Sequence, residues 1–304
     1  MPSNSILLNL AAALVLSGCA SAPKPISSRL PTGLAPEARI DAAFVPMEKN
    51  LCGPTVLKMA AEVHQAPRPL SAYKRFAFTE KLEGSLKSDM ISAARRFGLA
   101  PYKLPALNAV FEQVADGQPV VVFQNLSAAW LPAWHYSLVV GYSAKKNSMI
   151  LHGGKVPFEE MRFERFMATW DRGGNWAYVL MPPERIPSFA DFKESVDNAV
   201  LFEILGRQDL AMSLYRAMSA KWPDRFEPLL GIATIQHKHH NRDLAIKTTH
   251  RALKLAPDHP ALLFNLAVMH FENGDTLKAK QLKAKLFSLV SEDQAKALQA
   301  KIAF

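Results

Sequence analysis

Ala211, Ala245 and Ala279 are separated by 34 residues each time, and this spacing is the tightest constraint on how the chain can fold. Gly206 and Gly274 lie two such periods apart, with His240 between them where a glycine is expected. Pro223 and Pro257 again differ by 34 residues, each ending the second helix of a unit because proline cannot continue the hydrogen-bond ladder. Ala233 and Ala267 are small residues at matching places where two helices must approach closely. A period of this length makes each unit a helix-turn-helix pair that cannot bury its apolar face alone, so neighbouring units must stack. The register predicts, over 195–304, two full repeats, a truncated one before them, and a capping helix from Glu292. A solenoid this short is expected to pack against the preceding unit or a partner.

The remaining 190 or so residues leave room for one more domain in a chain of 304. Residues Ile6 to Leu16 form an apolar run too short to span a bilayer as a permanent helix, and it ends in Leu16-Ser17-Gly18-Cys19. Prolines at 23, 25, 31 and 36, with serines and alanines between, predict a flexible tether over 19–40. The net charge of +9 is spread along the chain without a run of like charges and without a nucleic-acid-binding motif, so nucleic acid is not an expected partner.

Between 41 and 185 the periodicity starts helical and turns to strands. Helices are expected at 54–65, from Leu86 to Phe97 and from Leu107 to Ala115. Buried strands are expected at 119–123, from His135 to Tyr142, from Ser148 to His152 and from Trp176 to Met181. The short polar turn Lys145-Lys146-Asn147 joins two of them as a hairpin, so the sheet is at least partly antiparallel and the unit is α+β.

The chemistry centres on Leu51-Cys52-Gly53-Pro54, where a cysteine stands at the start of an amphipathic helix. Unpaired backbone N–H groups and the helix dipole there favour thiolate over thiol. The second segment is Trp134-His135-Tyr136, with a histidine at the start of a buried strand. A cysteine on a helix N-terminus facing a strand-borne histidine supplies a nucleophile and its general base. No set of residues has zinc-finger spacing and no glycine-rich phosphate loop occurs, so no metal or other cofactor is called for.

Three resemblances give these features names. The 34-residue register resembles the tetratricopeptide repeat. Leu16-Ser17-Gly18-Cys19 resembles the lipobox of bacterial lipoproteins, which implies a signal peptide over 1–18, lipid on Cys19 and, with Ala20 following, attachment to the outer membrane facing the periplasm. The ordered series Cys52-Gly53-Pro54, Gly117-Gln118-Pro119-Val120 and His135-Tyr136 running to Gly141-Tyr142 resembles the bacteriocin-processing (double-glycine leader) peptidase superfamily, in particular a lipoprotein branch carrying repeats. The resemblance implies an α+β papain-like cysteine peptidase domain over 41–185 followed by an all-α tetratricopeptide-repeat solenoid. It implies Cys52 as nucleophile, His135 as base, and a third residue at the end of the next strand, where His152 stands; Asp171 is a fallback without positional support. The family's oxyanion glutamine, five or six residues before the cysteine, is replaced by Met47 and Pro46, with Asn50 the nearest amide. The partners implied are a peptide or protein substrate, a protein bound by the repeats, and the membrane. A slow enzyme or a non-catalytic envelope scaffold is the alternative that the missing glutamine and carboxylate favour.

Overall fold

A single seven-stranded sheet organises the first half of the molecule. The computed structural model describes residues 24–64 and 68–299; Cys19 and the leader expected over 1–18 lie outside them. The strands are β1 (Glu37–Arg39), β2 (Ala100–Lys103), β3 (Val120–Asn125), β4 (Trp134–Ser143), β5 (Ser148–His152), β6 (Glu159–Arg162) and β7 (Ala177–Met181). They run in the order β2-β7-β3-β4-β5-β6, with β1 on the C-terminal end of β4. Every pairing is antiparallel.

Strand alternation sends the apolar residues of the sheet to two separate layers. Tyr136, Leu138 and Val140 of β4 pack with α1 (Cys52–Glu62), α2 (Leu70–Ala77) and α3 (Lys87–Arg96). Val120, Val122, Val139 and Leu151 face α4 (Leu107–Ala115) and α5 (Phe163–Arg172). The β4–β5 register shifts between Val139 and Gly141, after which Tyr142 turns to the α4 side. Gly141 permits this, because a Cβ there would lie 2.7 Å from the Ala38 carbonyl oxygen of β1.

The described part of the expected tether is folded, which corrects that reading from residue 26 onward. Ile26 is fully buried in the α4/α5 layer, and its N–H donates to Asn147 Oδ1 at 3.0 Å. The Tyr142 hydroxyl donates to the Ala35 carbonyl at 3.0 Å, and β1 pairs with β4. Of the described prolines, Pro36 leads directly into β1, and its carbonyl accepts from the Ala144 N–H at 2.8 Å.

The second half is a stack of antiparallel helix pairs: α6 (Phe192–Ile204) with α7 (Gln208–Lys221), α8 (Glu227–Lys238) with α9 (Arg242–Leu255), and α10 (Pro260–Glu272) with α11 (Thr276–Leu289), followed by α12 (Glu292–Gln299). The first pair is complete rather than truncated. Ala211, Ala245 and Ala279 are each wholly buried, as are Ala233 and Ala267, which is why only small residues stand there. The three equivalent turns all hold a left-handed residue, Gly206 (φ 73°), His240 (φ 61°) and Gly274 (φ 84°). The solenoid packs on the first unit through α6. Arg95 Nε of α3 donates to Asn198 Oδ1 at 2.8 Å, and Asn198 Nδ2 donates to the Pro101 carbonyl at 3.0 Å.

Candidate functional site

Cys52 and His135 come to one end of the sheet from different layers. Helix α1 begins at Cys52 itself and is buried along most of its length, so the packing of Val56, Leu57 and Ala60 on the sheet fixes where its N-terminus points. Gly53 admits no side chain, since a Cβ would fall 2.3 Å from Ser85 Oγ and 2.9 Å from Met90 Sδ. Cys52 is half-buried, and the backbone N–H groups of Tyr136, Gly53 and Cys52 lie near enough to favour its charged form. The Tyr136 N–H belongs to β4 and follows His135 directly. Cys52 and His135 both border a cavity of 630 Å³ whose walls include Met47, Asn50, Gly153 and Lys155.

His135 is held by a backbone group. Its Nε2 lies 2.5 Å from the Gly153 carbonyl oxygen. A carbonyl can only accept, so Nε2 carries the proton and Nδ1 keeps the ring's free lone pair. That is the tautomer a general base needs. Beneath it, Ser137 Oγ donates to Gln124 Oε1 at 2.8 Å, and Gln124 Nε2 donates to Thr169 Oγ1 at 2.7 Å. Thr169 Oγ1 donates in turn to the Phe166 carbonyl. Gln124 stands opposite His135 in the β3–β4 register, so this buried chain of polar groups locks the strand bearing His135 to α5. Gln124, Ser137 and Gly153 read in the sequence only as strand and turn residues, and no local pattern singles them out.

His152 does not orient His135, and the reason is strand alternation. It stands opposite Leu138, whose side chain enters the α1 layer, and its ring is boxed between Phe44 and Phe158 at centroid distances of 5.1 and 4.7 Å. Both ring nitrogens are sealed from solvent without a hydrogen-bond partner. The next residue points the right way: a Cβ on Gly153 would lie 3.7 Å from His135 Nε2. Asp171 is occupied by Asn175 Nδ2 at 3.1 Å.

The electrostatics also differ from the sequence expectation of a thiolate. Burial pushes the Cys52 thiol up, more than the three N–H groups lower it. Burial likewise pushes His135 down, against the Gly153 carbonyl and the Glu159 charge. Both shifts favour the uncharged thiol and the uncharged imidazole at neutral pH.

At the oxyanion side, Met47 is nearly buried, and its N–H donates to the Gly154 carbonyl at 3.0 Å. Asn50, exposed and left-handed at φ 65°, borders the cavities on both sides of Cys52. The second of these, 750 Å³, is walled by Leu82, Leu86, Phe123, Trp134 and Tyr136. Phe123 and Trp134 stack at 5.2 Å, and Lys87 Nζ sits 4.6 Å above the Phe123 ring. A groove thus runs past Cys52 with an apolar side and a polar side. The uncharged loop 126–133 rises beside it. It is clamped by buried Asn125, whose Oδ1 accepts from the N–H groups of Ser127 and Ala133, and it leaves Trp130 84 % exposed.

No family model matches the chain, and no curated protein matches it. Among solved structures, the peptidase domain of Streptococcus ComA, a bi-functional ABC transporter involved in a quorum sensing pathway, is similar over 46 % of this chain and 98 % of that one, with 23 % identity and a TM-score of 0.38. The type III secretion translocator chaperone SycD of Yersinia enterocolitica is similar over 36 % of this chain and 85 % of its own, at 16 % identity and a TM-score of 0.34. MamA of Desulfovibrio magneticus RS-1 is similar over 32 % of this chain, at 17 % identity and a TM-score of 0.30; the match spans 55 % of that chain's length.

Proposed function

We propose that the chain is a membrane-anchored cysteine peptidase that hydrolyses peptide bonds through a thioester on Cys52. The observation that carries this is the His135 ring, held by the Gly153 carbonyl in the base tautomer, on the cavity that Cys52 also borders. In the reaction His135 Nδ1 takes the thiol proton as sulfur attacks the scissile carbonyl carbon. The tetrahedral oxyanion collapses, the C–N bond breaks, and the leaving amine takes the proton back from the imidazolium. Water then attacks the thioester with His135 again as base, which releases the acid and restores the thiol. The Cys52 backbone N–H, close to the sulfur at rest, would serve the oxyanion in the transition state. The repeats bind a protein partner or present the substrate, and lipid on Cys19 holds the molecule to the outer membrane on its periplasmic side.

A peptidyl epoxide or aldehyde probe tests this: the reading expects a covalent adduct at Cys52 that His135→Ala suppresses. No adduct on the folded protein, or one indifferent to His135, sinks it. A non-catalytic scaffold is the second reading. It is favoured by Met47 at the expected oxyanion position and by a neutral carbonyl where a carboxylate would hold the imidazolium better.

A further inference from the structure

The end of the sheet farthest from Cys52 carries a cluster of positive charge at the point where the chain enters the fold. Ile26 N–H is pinned to Asn147 Oδ1, Asn147 accepts from the Phe163 N–H through its carbonyl at 2.9 Å, and its Nδ2 donates to Glu164 Oε1 at 2.5 Å. These bonds gather three segments, 24–29, 145–147 and 162–165, onto one rim. Lys24, Arg29, Lys145, Lys146, Arg162 and Arg165 are all exposed there. The acids on the same rim are Glu37, Glu160 and Glu164. Glu160 pairs with Lys146 at 2.6 Å, Glu37 accepts from Ser143, and Glu164 is 3.7 Å from Arg162. Among the described residues, Lys24, Arg29, Lys145 and Arg165 take part in no ion pair.

The chain leading to this rim is short. Lys24 stands five positions after Cys19 and eight after the end of the apolar run at Leu16. Fully extended, those spans reach roughly 17 and 28 Å. A membrane holding either point therefore lies close to the basic rim. The cleft lies the other way: His135 and Ser143 are eight positions apart on one strand, roughly 26 Å. We propose that this rim is a docking surface for an anionic phospholipid bilayer, and that it turns the Cys52 groove and the Trp130 loop away from the membrane toward soluble substrate. The proposal rests on membrane attachment through the N-terminal segment and is independent of the peptidase chemistry. Juxtamembrane Lys and Arg contribute about 1 kcal/mol each near an anionic surface, within a Debye length. Such a contribution supplements a lipid or apolar anchor by fixing orientation.

The test uses the full chain reconstituted into vesicles of phosphatidylglycerol mixed with phosphatidylethanolamine, or of phosphatidylcholine alone, each doped with a lipid bearing a photoactivatable headgroup. Cross-linked residues are mapped by mass spectrometry, and flotation reports attachment separately. The expected result is flotation with both compositions, and cross-links on 24–29, 145–146 and 162–165 at least fivefold stronger with the anionic lipid and weakened in 0.5 M salt. The triple variant Lys145→Glu/Arg162→Glu/Arg165→Glu should float and melt as wild type does while losing those cross-links. Cross-links concentrated on 126–134 or on the repeats, or equal in the two compositions, or unchanged in the triple variant, overturn the proposal. Absence of flotation in either composition overturns membrane attachment and the docking surface together, whereas a missing Cys52 adduct bears only on the peptidase reading.

Discussion

His135 Nε2 and the Gly153 carbonyl oxygen lie 2.5 Å apart, a backbone contact at the place where the proposed peptidase reading expects a side chain. The carbonyl sets the tautomer as a carboxylate or amide would. It brings no negative charge, so it steadies a passing imidazolium less. The tautomer is secured and the stabilisation is reduced, so under the proposed peptidase reading catalysis would be slow.

The first prediction concerns that contact. A methyl on Gly153 would sit 2.7 Å from Ser137 Oγ, so Gly153→Ala must turn the hydroxyl off Gln124 or lift the carbonyl from His135. Labelling of Cys52 by an epoxide probe should fall by roughly tenfold or more, approaching the loss of about a hundredfold expected for His135→Ala. Ser137→Gly in the same chain should restore part of the rate by making room. Unchanged labelling in Gly153→Ala would show that the carbonyl does not position the base.

The pH dependence of the thiol is the second. Burial raises the folded Cys52 value and lowers that of His135, so neither group is charged at neutral pH. Without substrate, iodoacetamide should alkylate folded Cys52 more slowly at pH 7.5 than the same cysteine in urea. The rate should keep rising past the ordinary thiol range, with no plateau at acid pH. A plateau near pH 5 would reveal a preformed thiolate–imidazolium pair and overturn this assignment.

Part of this site was legible in the sequence and part was not, for reasons that differ residue by residue. Cys52 at a helix start and His135 at a strand start are local patterns, and the alternation of Tyr136, Leu138 and Val140 shows in any reading of period two. The partner of His135 depended on which face the end of β5 presents. That face is set by the β-bulge at Gly141 and the register Leu138↔His152, and neither has a local signature, so His152 stood in for Gly153. The thiol's charge state likewise depended on burial, a property of the packed tertiary structure that outweighs the helix terminus. In the repeats the relation is simpler: each landmark reports a contact to the neighbouring unit, so a period of 34 carries the architecture, and the completeness of the first pair is the one feature it missed. The strands β1, β2 and β6 escaped detection because three or four residues hold too little pattern.

His152 supplies a third prediction. Both its ring nitrogens are buried without partners, which costs about 1–3 kcal/mol per unsatisfied group, and burial lowers its proton affinity below the ordinary 6.5. A depressed histidine leaves the folded state with fewer protons than the unfolded one as pH falls below about 6.5. Stability from this group is therefore present above that pH and is lost on acidification toward the folded value. His64, His135 and His270 shift in the same direction. His152→Leu should stabilise the protein by about 1 kcal/mol at pH 7, and more at pH 5, in chemical denaturation followed by tryptophan fluorescence. Probe labelling of Cys52 should be retained. Loss of labelling with the fold intact would return His152 to the catalytic set.

The last prediction lies in the solenoid. His240 holds φ 61° at the turn where its two counterparts are glycines at 73° and 84°. A non-glycine residue in the left-handed region costs roughly 1–2 kcal/mol, and at a helix C-terminus glycine is the usual occupant for that reason. Opposing this, glycine adds backbone freedom to the unfolded chain, which returns part of the gain. The neighbouring ion pairs do not need the His240 side chain, since Glu272 is held by His237 Nε2 at 2.8 Å and by Arg242 Nε at 3.6 Å. His240→Gly should therefore raise the melting temperature by roughly 1–4 °C, a net gain of about 0.5–1 kcal/mol for a domain of this size, and leave the Cys52 chemistry untouched. A fall in melting temperature would mean that the imidazole at position 240 makes a contribution the turn geometry does not display, and would point to the repeat surface around Glu272 as the place to look for it.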